Sequence, residues 1–224
     1  MTEYMVEHRV KVFLVDDHPL VRESLTNLIN QQEDMEVCGE AEDAAQAQRW
    51  IGVNRPDIAI IDISMKERSG LELIKTVKLR HPDIGIVVLS MHDEKLYAER
   101  CVRAGARGYV MKRESTKRIV IAIREVQAGR LCVSDEVSSR FAEKFVGSKT
   151  LSAESPMESL SNRELEVFNL LGHGLATRQV ADSLHISIKT VQAYCARIKE
   201  KLQLSTAGEL LREALRWQER QIGI

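Results

Sequence analysis

Five short β-branched runs, Val10–Val15, Glu36–Ala41, Ile58–Asp62, Ile84–Ser90 and Gly108–Met111, alternate with segments of helical apolar spacing through about residue 130 of the chain. Each run is too short for a typical helix and too apolar for a loop. Between them apolar residues recur at helical intervals, as in Val21, Leu25, Leu28 and Ile29, or Leu71, Ile74 and Val77. Strand–helix alternation of this kind leads to a parallel sheet covered by helices on both faces. The expected fold of residues 9–128 is therefore one α/β doubly wound domain on a five-stranded parallel sheet. Such sheets place their functional groups at the carboxyl ends of the strands.

Gly129 ends the fifth helical pattern, and Asp135–Val146, with Val137, Phe141 and Phe145, predicts one more amphipathic helix whose apolar face either domain can receive. Gly147–Ser159 is polar, aperiodic and contains Pro156, so 129–159 reads as a partly helical interdomain linker. From Leu160 the strand signal is absent. Ser161 with Glu164, and Thr206 with Glu209, have capping-box spacing, and Ser187 precedes a third helical run. Residues 160–224 are expected to form a small all-α domain of four helices, about 161–172, 176–184, 187–202 and 206–218.

Composition narrows the function classes. Of 224 residues, 44% are hydrophobic and 29% charged, with 12 Gly and 4 Pro, which excludes collagen-like and disordered chains. No stretch approaches the ~18 apolar residues of a spanning helix, and Glu3, Glu7 and His8 stand where a signal peptide would need an apolar run. A cytoplasmic protein without a membrane partner is expected. Cys38, Cys101, Cys132 and Cys195 form no C-x-x-C pair, and the six histidines show no ligand spacing, so metal chemistry here must use carboxylates. The net charge of −1 gives no global footprint for nucleic acid, and any basic surface must be local.

Asp16 and Asp17 end the first strand and Asp62 the third, so the strand-end rule gathers three carboxylates in one crevice. They would repel one another, and Mg²⁺ relieves this by taking oxygen ligands while bridging carboxylates to a phosphate. Ser90 at the end of the fourth strand and Lys112 at the end of the fifth add a hydroxyl and a cation to the same rim. A carboxylate nucleophile, a metal and donors for phosphoryl oxygens are the parts of phosphoryl transfer. A lone Asp-Asp pair is more often a solvated turn or cap, and Ser90 or Lys112 alone would carry nothing. Their joint placement on successive strand ends is what points to chemistry. A phosphatase with an aspartyl nucleophile would want a second acid two residues on, where this chain has Ser64.

The segments DDHPLVRESL, IIDISMKERSGLELI, VVLSMHDE and AGARGYVMKRES resemble the receiver domain of bacterial two-component response regulators, a flavodoxin-like fold, over residues 9–128. The resemblance implies that Asp62 is the phospho-acceptor and an Mg²⁺ ligand. It further implies that Asp17 binds the metal directly, Asp16 largely through water, and Ser64 through its backbone carbonyl. Ser90 and Lys112 would sense the phosphoryl group, and Tyr109 matches the aromatic that turns inward when the Ser90 hydroxyl moves toward the phosphate. Lys66 departs from the family pattern, which usually has Pro there, and bears on the loop beside Asp62.

In the tail, Val180, Ala181, Leu184, Ile186, Val191, Ile198 and Leu202 form the seam of two helices joined by a tight turn at His185–Ser187, which is helix-turn-helix spacing. The second helix would expose Lys189, Gln192, Ala193, Ala196 and Lys199. Between Arg178 and Lys201 there are five basic and two acidic residues, although residues 151–224 as a whole carry nine of each. Helix-turn-helix units also serve as pure packing motifs, so this face gains its weight from the domain upstream. The segment LSNRELEVFNLLGHGLATRQVADSLHISIKTVQAYCARIKEKLQL resembles the LuxR-type helix-turn-helix of the NarL/FixJ response regulators. It implies that Gln192, Ala193 and Ala196 lie in the major groove while Thr177, Arg178, Lys189, Thr190, Arg197 and Lys201 approach phosphates. Tyr194 stands where the family often has His, and Ala196 where some members have a basic residue, which leaves Gln192 to adenine as the specific polar contact.

The expected function is a DNA-binding transcriptional regulator rather than an enzyme, switched by Mg²⁺-dependent phosphorylation of Asp62 from a sensor histidine kinase. One small neutral domain binds DNA weakly, so a homodimer on repeated half-sites of double-stranded promoter DNA is expected, with an outer edge of the last helix as candidate dimer surface. Two other readings stand beside it. One is a constitutive DNA-binding protein whose receiver is a dimerisation or ligand module. The other is a phosphotransfer sink or interaction switch whose tail does not touch DNA.

Overall fold

A computed structural model describes residues 9–65, 70–114, 116–147 and 156–222. Lys66, Phe145's side chain and residues 148–155 of the linker lie outside what is described. The chain divides into two compact units, residues 1–148 and 149–224.

In the first unit the strands are β1 (Val10–Val15), β2 (Met35–Ala41), β3 (Ile58–Asp62), β4 (Gly85–Ser90) and β5 (Gly108–Met111). They alternate with α1 (Pro19–Asn30), α2 (Ala44–Asn54), α3 (Gly70–Arg80), α4 (Glu94–Ala104) and α5 (Thr116–Gln127). The sheet is parallel throughout, in the order β2-β1-β3-β4-β5. The order reverses at β1, which puts the ends of β1 and β3 side by side at the switch point where such sheets bind ligands. Every residue of β3 is buried, which is why it reads as a continuous apolar run with no alternation. One face packs Val12, Leu14, Ile58, Ile60, Val87 and Leu89 against Leu25 and Ile29 of α1 and Ile123 and Val126 of α5. On the other face, Trp50 of α2 stacks on Phe13 at 4.1 Å between ring centroids, across Gly39, where a Cβ would collide with the indole.

Helix ends are set by short polar caps. Asp43 accepts from the Gln46 amide to start α2, and Asp93 from the Lys95 amide to start α4. Gly105, at φ 110°, closes α4.

The stretch after α5 belongs to the first unit. Cys132 bridges to Gly108 as a parallel partner, its amide donating to Arg107 and its carbonyl accepting from Tyr109, so the free edge of β5 is covered by the chain's own backbone. The amphipathic helix expected at 135–146 forms as α6 (Asp135–Gly147), with Val137 buried, and packs on α4.

The second unit opens with a 3₁₀ turn at Pro156–Ser159, followed by α7 (Asn162–Gly172), α8 (Thr177–Leu184), α9 (Ile188–Lys201) and α10 (Ala207–Ile222). The Ser161–Glu164 capping box forms at α7 with both reciprocal bonds. Phe168 meets Trp217 edge-on at 5.8 Å, and Val180, Ala181, Val191, Ile198, Leu210 and Ala214 are among the residues buried around them. α10 runs to Ile222, past the expected end near 218, because after Gly208 in its first turn neither Gly nor Pro occurs before Gly223. Among the described residues, no helix is long and apolar enough to cross a membrane.

Candidate functional site

Asp16 follows β1 directly and Asp62 ends β3, both at the carboxyl edge of the sheet, with side chains 3% and 1% exposed. The β1–α1 turn is pinned by Arg22 of α1, which donates to the Asp16 carbonyl at 2.6 Å. The start of α3 lies so close to the end of β3 that a Cβ at Gly70 would fall on the Asp62 carbonyl oxygen. Glycine at that position is thus a condition for the close approach of α3 to the strand end that carries the acid.

Lys112, one residue past β5, places Nζ 2.7 Å from Asp16 Oδ2 and 2.8 Å from Asp62 Oδ2. The other oxygen of Asp62 accepts the Ser64 backbone N–H at 2.8 Å. Burial pushes the Asp62 carboxyl above the usual carboxylate range, against the opposing pull of Lys112. Burial works to lower the Lys112 ammonium, yet Asp62 and Asp16 outweigh it and hold the group charged. The result is a buried carboxylate with fixed donors on both oxygens.

Atoms of Asp16, Asp17, His18 and Asp62 able to ligate a metal lie within 4.8 Å of one another. Opposite ligands of an octahedral Mg²⁺ stand about 4.2 Å apart at its 2.0–2.1 Å bond length, so a hard divalent cation needs only small adjustments of this group. Asp16 Oδ2 is buried and, although it faces the Lys112 charge, accepts no well-directed hydrogen bond. An oxygen of this kind is suited to a cation, and the carboxylate donor set fits one. Ser64 is brought to the same rim by its bond to Asp62.

Ser90 is fully buried, and its Oγ accepts the His92 amide at 3.0 Å. Tyr109 is 1% exposed, and its hydroxyl donates to the His92 carbonyl at 3.1 Å. The inward ring and the Ser90–His92 bond coexist, so burial of Tyr109 does not by itself report movement of Ser90 toward Asp62.

Two site residues were not singled out from the sequence. His18 Nδ1 lies 3.0 Å from Asp16 Oδ1 and 2.8 Å from Asp17 Oδ1, and its amide also donates to Asp16 Oδ1. His92 Nε2 lies 2.8 Å from Ser64 Oγ. Adjacency to Asp17 in one case, and a position two residues beyond the β4 end in the other, are the signals that lead to them.

In the second unit α8 and α9 are joined by a turn in which His185 takes a left-handed conformation, φ 53°, and Ser187 caps α9 through the Thr190 amide. Lys189, Gln192, Ala193, Ala196 and Arg197 are exposed on α9, opposite the buried Val191 and Ile198, and Arg178 is exposed on α8. Thr177, Thr190 and Lys199 are half-buried, and Thr190 Oγ1 sits 2.8 Å from Ser187 Oγ. The Arg197 guanidinium lies 4.9 Å over the Tyr194 ring, a cation–π contact that limits its rotamers. Lys201 differs from the rest of the expected phosphate-facing group because it pairs at 2.7 Å with the buried Glu164 of the capping box. Burial acts to raise the Glu164 carboxyl, but Lys201 and the Ser161 bonds hold it below the usual range.

Residues 12–124 match the response regulator receiver domain family, and residues 158–214 match the luxR family of bacterial regulatory proteins. The oxygen regulatory protein NreC of Staphylococcus epidermidis is 33% identical over 92% of this chain and 97% of its own length. A LuxR-family two-component response regulator from Aurantimonas sp. SI85-9A1 is 32% identical, with a TM-score of 0.57 over 62% of this chain and 99% of that one. RcsB from Salmonella enterica serovar Typhimurium, solved bound to promoter rprA with the phosphomimetic BeF3-, is 26% identical. Its TM-score is 0.56 over 92% of this chain and 98% of its own. The chain belongs to the two-component response regulators of the NarL/FixJ subfamily: it is a transcriptional regulator, not an enzyme, with a receiver domain followed by a LuxR-type helix-turn-helix DNA-binding domain.

Proposed function

We propose that this regulator is switched by Mg²⁺-dependent phosphorylation of Asp62 from a sensor histidine kinase, in the cytoplasm, and that the phosphorylated form binds promoter half-sites as a dimer. The observation that carries this reading is Lys112 Nζ held between Asp16 and Asp62 while the Ser64 amide holds the second Asp62 oxygen. An Asp62 oxygen attacks the phosphorus of the kinase phosphohistidine, the P–N bond breaks, and its electron pair leaves with the imidazole. Asp16, Asp17, Asp62 and the Ser64 carbonyl would hold Mg²⁺, which would supply charge neutralisation to the transfer. Lys112 offers its cation to the phosphoryl oxygens, and Ser90 a hydroxyl once it gives up the His92 amide.

On the DNA side, the small side chains of Ala193 and Ala196 let the α9 backbone approach base edges, leaving Gln192 to read adenine. Lys189, Arg197 and Arg178 supply charge for phosphates, with Thr177, Thr190, Lys199 and Lys201 at the margins. Leu211 and Leu215 of α10 are 42% and 41% exposed and offer an apolar stripe for pairing two copies. The test is the anisotropy of labelled promoter DNA, at fixed salt and protein concentration, with and without a phosphodonor. Wild type gains affinity with the donor and Asp62→Ala does not. Equal binding by Asp62→Ala and phosphorylated wild type would show that Asp62 does not control DNA binding.

A further inference from the structure

We propose that His92 and Glu94 are positioning residues that carry the state of the phosphorylation site to α6. The inference rests on phosphorylation of Asp62 and extends it to the route by which the signal leaves the site.

His92 is held on every side by residues of that site. Its ring Nε2 lies 2.8 Å from Ser64 Oγ, its amide donates to Ser90 Oγ at 3.0 Å, and its carbonyl accepts from Tyr109 at 3.1 Å. Its ring also stacks on Tyr97 of α4, with centroids 4.5 Å apart and planes 20° from parallel. If the Ser90 hydroxyl turns to a phosphoryl oxygen, the His92 amide loses its acceptor. The half-buried amide then has to find another partner, and the 91–93 segment, with Met91 and Asp93 exposed on either side, is free to move as it does so. Asp93 is the cap of α4, and the first turn of α4 moves with it.

That turn is fastened to α6. Glu94 is 7% exposed and its carboxylate accepts the Ser134 amide at 2.8 Å, immediately before α6 begins. Ser134 Oγ in turn accepts the Val137 amide at 3.3 Å, so the residue that Glu94 holds is also the cap of α6. Lys95 pairs with Glu136 at 2.7 Å, and Arg140 donates to the Lys95 carbonyl at 3.2 Å. Three contacts from two consecutive residues of α4 therefore reach the cap and the first two turns of α6. Only the Glu94 contact is buried, and a buried carboxylate separated from its donor is costly. α4 and α6 consequently move as one body. α6 is the last helix of the first unit, and the chain continues from it into the DNA-binding domain.

The experiment uses the full-length protein with Mg²⁺ and acetyl phosphate, following intact mass and amide hydrogen exchange of residues 134–143. Wild type takes up one phosphoryl group and exchange at 134–143 changes roughly tenfold on phosphorylation. Glu94→Ala takes up the same phosphoryl group, but its exchange at 134–143 is fast in both states and its DNA affinity no longer responds. Glu94→Gln keeps an acceptor oxygen for Ser134 and restores the difference, which a loss of general stability would not allow. Lys95→Ala, a surface change, reduces the difference without abolishing it, and together with Glu94→Gln it decides the matter if Glu94→Ala does not fold. A phosphorylated wild type with unchanged exchange at 134–143, or a Glu94→Ala protein with the full wild-type difference, overturns the inference alone. A wild type that gains no phosphoryl group removes the phosphorylation reading and the inference with it.

Discussion

Replacing Lys112 by Met keeps most of the stem that packs at the end of β5 and deletes the cation between two buried acids. The ammonium stands 2.7 Å from Asp16 and 2.8 Å from Asp62, whose side chains are 3% and 1% exposed. At an effective dielectric of about 20 each contact is worth about 6 kcal/mol of raw attraction, most of it offset by desolvation. Removing one partner of such a buried group costs about 3–5 kcal/mol, because the remaining charges are left uncompensated. The carboxylates can lessen that loss by taking up a proton. Asp62 already sits above its ordinary pKa from burial, and without Lys112 it rises further. The folded state then binds a proton that the unfolded chain has released, so stability falls as pH rises from the unfolded to the folded pKa. The deficit of Lys112→Met therefore grows as pH rises above the ordinary carboxylate value and shrinks as pH falls back toward it, with a slope of at most about 1.4 kcal/mol per unit for one proton. The assay is urea unfolding in chelator, followed through Trp50 in a Trp217→Phe background, which isolates the first unit. A deficit below about 1 kcal/mol at pH 7.5, or one with no pH dependence, would refute the reasoning. The same charge logic has Lys112→Met bind Mg²⁺ more tightly than wild type.

Other consequences are more local. Gly70→Ala forces a Cβ onto the Asp62 carbonyl, so thermal unfolding of the first unit should fall by at least the about 1–3 kcal/mol typical of overpacking, with slower phosphoryl uptake. Lys201→Met unpairs Glu164, whose folded pKa lies below its unfolded value. The stability this pair contributes is present above about pH 4.3 and lost as pH falls through the folded value, so wild type and variant converge in acid. With Lys201 37% exposed, the neutral-pH difference is about 1 kcal/mol, read by urea unfolding followed at Trp217. Lys189→Ala should weaken binding to all DNA sequences and reduce the slope of log K against log salt by about 1. Gln192→Ala should instead lose about 1–3 kcal/mol at one position of the operator, measured by competition with single-base variants.

The pattern of β-branched runs made the sheet legible because a strand covered on both faces must be apolar along its length, as all five residues of β3 are. Asp16, Asp62, Ser90 and Lys112 were legible for a related reason, since parallel topology forces successive strand ends to one edge. What the sequence did not disclose were contacts made across loops. His18 and His92 carry no ligand spacing, and their partners, Asp16, Asp17 and Ser64, are chosen by turn geometry rather than by periodicity. The amphipathic face of α6 was visible, but its place on α4 depends on the buried Glu94 and on the Cys132 bridge to β5, neither of which has a one-dimensional signature. The resemblance implies a phosphate contact for Lys201, whereas its pairing with Glu164, buried at the start of α7, is a tertiary fact that no one-dimensional pattern carries.

The most direct measurement is the intact mass of wild type and Asp62→Ala after incubation with acetyl phosphate and Mg²⁺, with and without a chelator. The account predicts one added phosphoryl group on wild type with metal, none with chelator, and none on Asp62→Ala under any condition. Uptake by Asp62→Ala, or metal-independent uptake by wild type, would contradict the assignment of Asp62 and its carboxylate neighbours. No uptake by folded wild type would contradict phosphorylation as the switch.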